Sequence, residues 1–270
     1  MLKAHSVSNP LSHAWEHYKN EVKAARHKAT SKNVHALRVA TQRLEAIVKI
    51  SRGLVTNRYG AKLIESLKMT RKQLGPLRDL QVESDAKSSK TKRFSTFVTK
   101  EKKKAMRKAS RYLDNISLKK EKRLISKILS KKLISAEKDL PLKKMHELLE
   151  PTVQVTLTKF NEALAETTPK KMKNLHKFRV LAKQLRYQEE ALKTIFGASR
   201  FNIPKLKAVQ VSVGKIQDKN ALLQNMDRYL NQKKHRKDEK LLRAKKKIEK
   251  IQQRRIQTEF KNLSNSQWAS

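Results

Sequence analysis

A 270-residue chain with a formal net charge of +41 is long enough to bury a core, yet it repels itself strongly unless a polyanion offsets that charge. It contains no cysteine, which excludes disulfides, zinc–thiolate sites and thiol catalysis; five glycines and six prolines are too few turn residues for a many-stranded sheet protein. Hydrophobic residues at 37% predict narrow cores beneath wide charged faces, and the abundance of Lys, Leu, Ala, Gln and Glu predicts an all-α fold.

In chain order, the first segment (MLKAHSVSNPLSHAW) has no apolar run of signal-peptide length, and nowhere do eighteen apolar residues follow one another. A soluble, cytoplasmic protein is the expectation. Asn9 before Pro10 reads as an N-cap followed by proline at the first helical position, opening a helix over 10–29. Apolar residues at helical spacing then predict helices over 31–53, 57–74, 77–112 with a break around Ser88-Ser89, and 117–136. Leu140-Pro141 divides the chain, giving a first helical repeat over 1–140 and a second over 141–270. In the second, helices are predicted over 142–167, 169–196 (Thr168 capping, Pro169 next), 204–216 and 218–260, with a frayed tail after Asn262.

The two halves repeat one another. VHALRVATQRLEAI (34–47) lies over LHKFRVLAKQLRYQ (175–188), matching His35 with His176, Arg38 with Arg179, Val39 with Val180 and Leu44 with Leu185. Asn20-Glu21 falls on Asn161-Glu162 in the same register, and after two residues of slippage LGPLRDL (74–80) falls on VGKIQDK (213–219). Such a constant offset over successive helices marks an internal duplication.

At 100° per residue, Leu37, Ala40, Leu44, Ile47 and Val48 share one helix face, opposite His35, Arg38, Gln42 and Lys49. In the second copy Phe178, Leu181, Ala182, Leu185 and Leu192 gather together, opposite His176, Arg179, Lys183, Arg186 and Tyr187. One face packs and the other presents cations. Arginine captures phosphate oxygens in bidentate fashion, lysine adds charge without demanding geometry, and histidine can donate to phosphate. For any single lysine a solvated face is the ordinary reading; recurrence of the His-x-x-Arg start in both halves favours a phosphate track.

These paired motifs, VHALRVATQRLEA with LGPLRDLQV and LHKFRVLAKQLRYQEEAL with VGKIQDKNAL, resemble the CHAD domain, a family of α-helical domains named for their histidines, over essentially the whole chain. The resemblance implies two four-helix bundles related by a pseudo-twofold axis, with a basic cleft or pore that binds inorganic polyphosphate without catalysis. Carried over by position, the binding residues are His35, Arg38, Arg43, His176, Arg179, Lys183 and Arg186, with Arg78 a weaker addition. Gln42, Glu45, Gln184 and Gln217 stand where the family commonly has basic residues, which implies a weaker first-repeat face, and Arg43 rotates toward the edge of the polar face.

Asp79 and Asp218 recur just after a glycine, where a helix start or a buried ion pair would sit; capping is the expected role. With no convergent donor set, neither a metal nor a cofactor is expected. The lysine-rich segments 100–108 and 233–247 read as solvated helix faces that widen the field steering a polyanion inward. The alternative partner is nucleic acid, bound non-specifically; aromatics are only 5% of the chain, too few for a base-stacking platform. A polyphosphate-processing enzyme is disfavoured because no phosphate-cradling glycine loop is present. A granule scaffold whose charge merely confers solubility shares the fold and lacks the site. Location at polyphosphate granules is the corresponding expectation.

Overall fold

The computed structural model describes residues 6–54, 58–85, 91–138, 140–166, 172–232, 235–236 and 238–264. Among them lie ten helices: α1 (Ser8–His27), α2 (Ser31–Ser51), α3 (Arg58–Asp85), α4 (Lys92–Asn115), α5 (Leu118–Ile128), α6 (Lys131–Lys138), α7 (Leu142–Ala165), α8 (Met172–Phe196), α9 (Ile203–Leu230) and α10 (Glu239–Ser264). No strand occurs among the described residues, and no helix there is long and apolar enough to cross a membrane. The all-α expectation holds.

The helix boundaries depart from the sequence reading in four places. The first is the predicted stop at Gly75-Pro76: α3 runs straight through it. Proline removes the N–H that would bond Lys72, a local loss, whereas Leu74, Leu77 and Leu80 stay buried on one continuous stripe. Packing along that stripe outweighs the missing hydrogen bond. Likewise α9 runs through Gly214, with Val213 and Ile216 buried on either side, and stops at Leu230; Asp238 then accepts from Leu241 N at 3.1 Å and starts α10. The single helix expected over 218–260 is therefore two pieces.

Third, the segment read as one helix over 117–136 is also two. Ser117 caps α5 by accepting from Lys120 N, Leu129 leaves helical geometry at ψ 30°, and Ser130 O receives Leu133 N at 3.0 Å to begin α6. Fourth, α1 is capped from a distance and not by Asn9. The Glu137 carboxylate on α6 accepts from Ser6 Oγ, Val7 N and Ser8 N at 3.0–3.1 Å, supplying negative charge and acceptors to the first N–H groups. The Ser88-Ser89 break, the Thr168-Pro169 cap and the tail beyond Ser264 lie outside the described residues.

The arrangement that positions the site is a closed circuit of four helices: α2 packs on α3, α3 on α9, α9 on α8, and α8 back on α2. Outside it, α1 and α7 cover α2 and α8, while α4 and α5 cover α3, and α10 covers α9. The buried side chains form one connected cluster through both halves. Phe160 on α7 meets Phe178 on α8 with ring centroids 4.9 Å apart, and Phe94 on α4 meets Tyr229 on α9 edge-on at 5.5 Å, a contact that crosses between the halves.

A cavity enclosed by four helices

Burying Leu37, Ala40, Leu44 and Val48 on one side of α2 turns His35, Arg38, Gln42, Glu45 and Lys49 toward the centre of the circuit. Their spacing of three and four residues keeps them on one stripe. On α8 the buried Phe178, Ala182 and Leu185 do the same for His176, Arg179, Lys183 and Tyr187. From α3 come Arg71, Arg78 and Asp79, and from α9 Gln217, Asp218 and Gln224. These side chains enclose a cavity of about 600 Å³.

Two arginines anchor the wall in parallel ways. The Arg38 guanidinium lies over Gly75 and donates from Nη1 to Arg71 O at 2.5 Å, while that of Arg179 lies over Gly214, where an added Cβ would stand 3.5 Å from its Nε. Arg179 Nε and Arg71 Nη1 are buried and have no hydrogen-bond acceptor among the described residues. An unmet buried donor costs about 1–3 kcal/mol, so the cavity wall has spare capacity to bind an acceptor.

Three carboxylates share the cavity. Glu45 is committed: it binds Lys49 Nζ at 2.7 Å and also Arg71, and although burial pushes its carboxyl up, those two cations hold it below the usual range. Asp79 and Asp218 correct the capping expectation. Each sits in the interior of its helix, four residues beyond the glycine, on the cavity wall. Burial pushes both carboxyls up, Arg38 and Arg179 draw them back only in part, and the charge of Asp218 raises Asp79 further. His35 is pushed down by burial and by the neighbouring charges of Arg78, Lys183 and Arg38, so its imidazole is neutral at pH 7.

Of the ten residues the sequence singled out, His35, Arg38, Lys49, Arg78, His176, Arg179, Lys183 and Tyr187 all line this one cavity. Two do not. Arg186 is buried beside it, donating from Nε to Gln210 at 2.9 Å and from Nη1 to Glu190 while stacking on the Tyr187 ring at 4.2 Å. Arg43 lies off the cavity, near Glu190 at 3.7 Å, where it borders a separate groove beside α1. Sequence reasoning missed Arg71 and Lys72. The signal was present, since Arg71, Gly75 and Arg78 fall on one helical stripe, but the presumed stop at Pro76 assigned them to different helices.

The described residues contain no group of three or more His, Cys, Asp or Glu side chains placed to hold a metal ion. Chemically, then, the cavity offers convergent cationic donors from four helices around a few carboxylates.

An all-helical chain closed around an interhelical cavity is the class that this fold and site define. The CHAD domain family matches residues 10–227, and the chain belongs to that family. The crystal structure of the CHAD domain from the plant Ricinus communis superposes with a TM-score of 0.72 at 16% identity, covering 100% of this chain and 96% of that one, which establishes the shared fold. A search of curated proteins returns no match.

Proposed function

We propose that this CHAD-domain protein binds inorganic polyphosphate in the cavity between α2, α3, α8 and α9, as a binding or targeting module without catalysis. The observation that carries the reading is the convergence of Arg38, Arg71, Arg179 and Lys183 on one enclosed space in which Glu45 is already committed to Lys49 and Arg71. A ligand made only of phosphate suits donors that come from every side, and among the described residues Tyr187 is the one Phe, Tyr or Trp on the cavity wall. The two repeats, 1–140 and 141–270, would each supply one helix pair to the site, and a polymer-binding module of this kind would collect at polyphosphate granules in the cytoplasm.

Nucleic acid is the second reading, favoured by the outer face of α4, where Lys100, Lys103, Arg107 and Arg111 stand exposed at helical spacing away from the cavity. A competition titration of long polyphosphate, short polyphosphate, duplex DNA and RNA at matched salt separates the two. Preference for polyphosphate at equal phosphate supports the cavity, and preference for duplex DNA or RNA promotes the outer face. An assay for released orthophosphate, with and without magnesium, tests the non-catalytic reading.

A further inference from the structure

Lys183 is placed unlike any other cation of the cavity. The charged groups that act on it most are all positive: Arg179 on its own helix, Arg38 on α2, Arg186 on its own helix and Arg71 on α3. The carboxylates nearby are taken: Glu45 by Lys49 and Arg71, Glu190 by Arg186, Asp79 by Arg38, and Asp218, the charged residue of α9 on the cavity wall among the described residues, by Arg179. Its ammonium lies 5.9 Å from the Tyr187 ring centroid, on the cavity wall. Arg71 and Arg186 are paired with Glu45 and Glu190, whereas Arg38, Arg179 and Lys183 face one another across the same cavity, where an anion would offset their mutual repulsion.

We infer that Lys183 marks the central anion seat of the cavity and that an anion arriving there binds together with a proton, taken up by the Lys183 amine. This rests on the anion-binding reading above and adds to it a coupling to pH. Burial and the charges of Arg179, Arg38, Arg186 and Arg71 push the free amine down to about 7, so above that pH it is largely neutral until a negative ligand offsets its neighbours. Linkage fixes the sign. Below about pH 7 the amine is already charged and binding takes up no proton; above it, uptake grows and affinity falls, by up to about tenfold per pH unit while a whole proton is taken up. Of the other titratable groups on the wall, the Tyr187 phenol is pushed up by burial, and His35 is pushed down by burial and by Arg78, Lys183 and Arg38, so His35→Gln is the control that removes any uptake at that imidazole. His176 also lines the cavity.

Long-chain inorganic polyphosphate is the suitable probe because its internal phosphates do not titrate near neutrality. Calorimetric titration in buffers of different ionisation enthalpy reads the protons taken up per chain bound. The wild type should show uptake that rises from about pH 6.5 to pH 8.5, with affinity falling in step. Lys183→Arg, whose guanidinium stays charged throughout, should bind without that uptake and without the fall; persistence of both in the variant would overturn the inference. A second measurement needs no ligand. Reductive methylation with a carbon-13 label lets the Lys183 amine be titrated by NMR in the free protein, its signal assigned by its absence from Lys183→Arg. Titration near neutrality supports the seat, and titration in the ordinary lysine range sinks it. If polyphosphate fails to bind while Lys183 titrates near neutrality, the error lies in the ligand and not in the seat.

Discussion

Arg38 reaches from α2 across to α3 and donates to the backbone carbonyl of Arg71 at 2.5 Å, directly beside Gly75. The bond joins the middle of one wall to another and fixes the guanidinium before any ligand arrives. Pro76, by withholding its N–H, leaves this stretch of α3 short of an internal donor, and the arginine bonds a carbonyl of the same turn. Preorganisation of this kind lowers the ordering cost of binding.

Three glycines make opposite predictions. A Cβ at Gly75 would stand 3.9 Å from Arg38 Nη1, and one at Gly214 3.5 Å from Arg179 Nε, both ordinary contacts in a helix interior. Gly75→Ala and Gly214→Ala should therefore stabilise the fold by about 0.5–1 kcal/mol each through reduced backbone entropy of the unfolded chain. At Gly53, just past α2, an added Cβ would overlap the carbonyl oxygen of Leu148 on α7 and lie 3.0 Å from its carbon. Backbone cannot yield as a side chain does, so Gly53→Ala should cost about 1–3 kcal/mol. Urea denaturation of the three variants checks both signs.

Helical periodicity made α2 and α8 legible, together with their inward stripes, because burial of Leu37 and Leu44, or of Phe178 and Leu185, fixes which side faces the cavity. Arg71 escaped notice because a proline normally ends a helix, and only tertiary packing of Leu74, Leu77 and Leu80 carries α3 past it. Asp79 and Asp218 read as caps because each follows a glycine, Gly75 or Gly214, through which the helix in fact continues. Arg186 looks like a cavity residue by register and Arg43 by family resemblance alone, yet Glu190 stands where both can reach it, a pairing between α2 and α8 that no local spacing reveals. The Glu137 cap on α1 was equally illegible, since its partners lie about 130 residues away in sequence.

Replacing Arg38 and Arg179 together by alanine should weaken polyphosphate binding and flatten its salt dependence. Each phosphate that the variant no longer neutralises reduces the slope of log affinity against log salt by about 0.7, if polyphosphate behaves as a single-stranded polyanion does. Helix content by circular dichroism should be unchanged, because the apolar faces of α2 and α8 are untouched. An unaltered slope would place the phosphates elsewhere. Repeating the titration with Arg179→Ala, Lys183→Ala isolates the α8 wall.

Glu45→Gln should trade stability for affinity. The carboxylate neutralises Lys49 and Arg71 on the cavity wall, and removing its charge frees both for an anion. Affinity for polyphosphate should rise, while the free protein loses on the order of 1–3 kcal/mol with the charged hydrogen bonds. Because Arg71 and Lys49 hold this carboxyl below its ordinary value, its stabilising contribution is present above the unfolded pKa and lost as pH falls through the folded one. The stability gap between wild type and variant should therefore close in acid. Thermal unfolding at a series of pH values, set beside binding titrations, reads both effects.

Glu121 makes the opposite pH prediction, away from the cavity. Its side chain is buried beneath α1 and α3, accepting from Tyr18 Oη at 3.1 Å and from Ser66 Oγ at 2.6 Å. Burial pushes its carboxyl above the ordinary 4.5, and the hydrogen bonds from Ser66 and Tyr18 and the charge of Arg26 recover only part of that shift. The folded state therefore holds a proton that the unfolded chain releases first. Stability must fall as pH rises from the unfolded value through the raised one, then level off. Glu121→Gln keeps the size of the group and has no proton to lose, so it should lack this component of the decline. Urea unfolding of both proteins from about pH 4 to pH 8 should show the variant gaining on the wild type as pH rises through that window. A constant difference across the range would mean that Ser66, Tyr18 and Arg26 together balance its burial and leave the Glu121 carboxyl unshifted by folding.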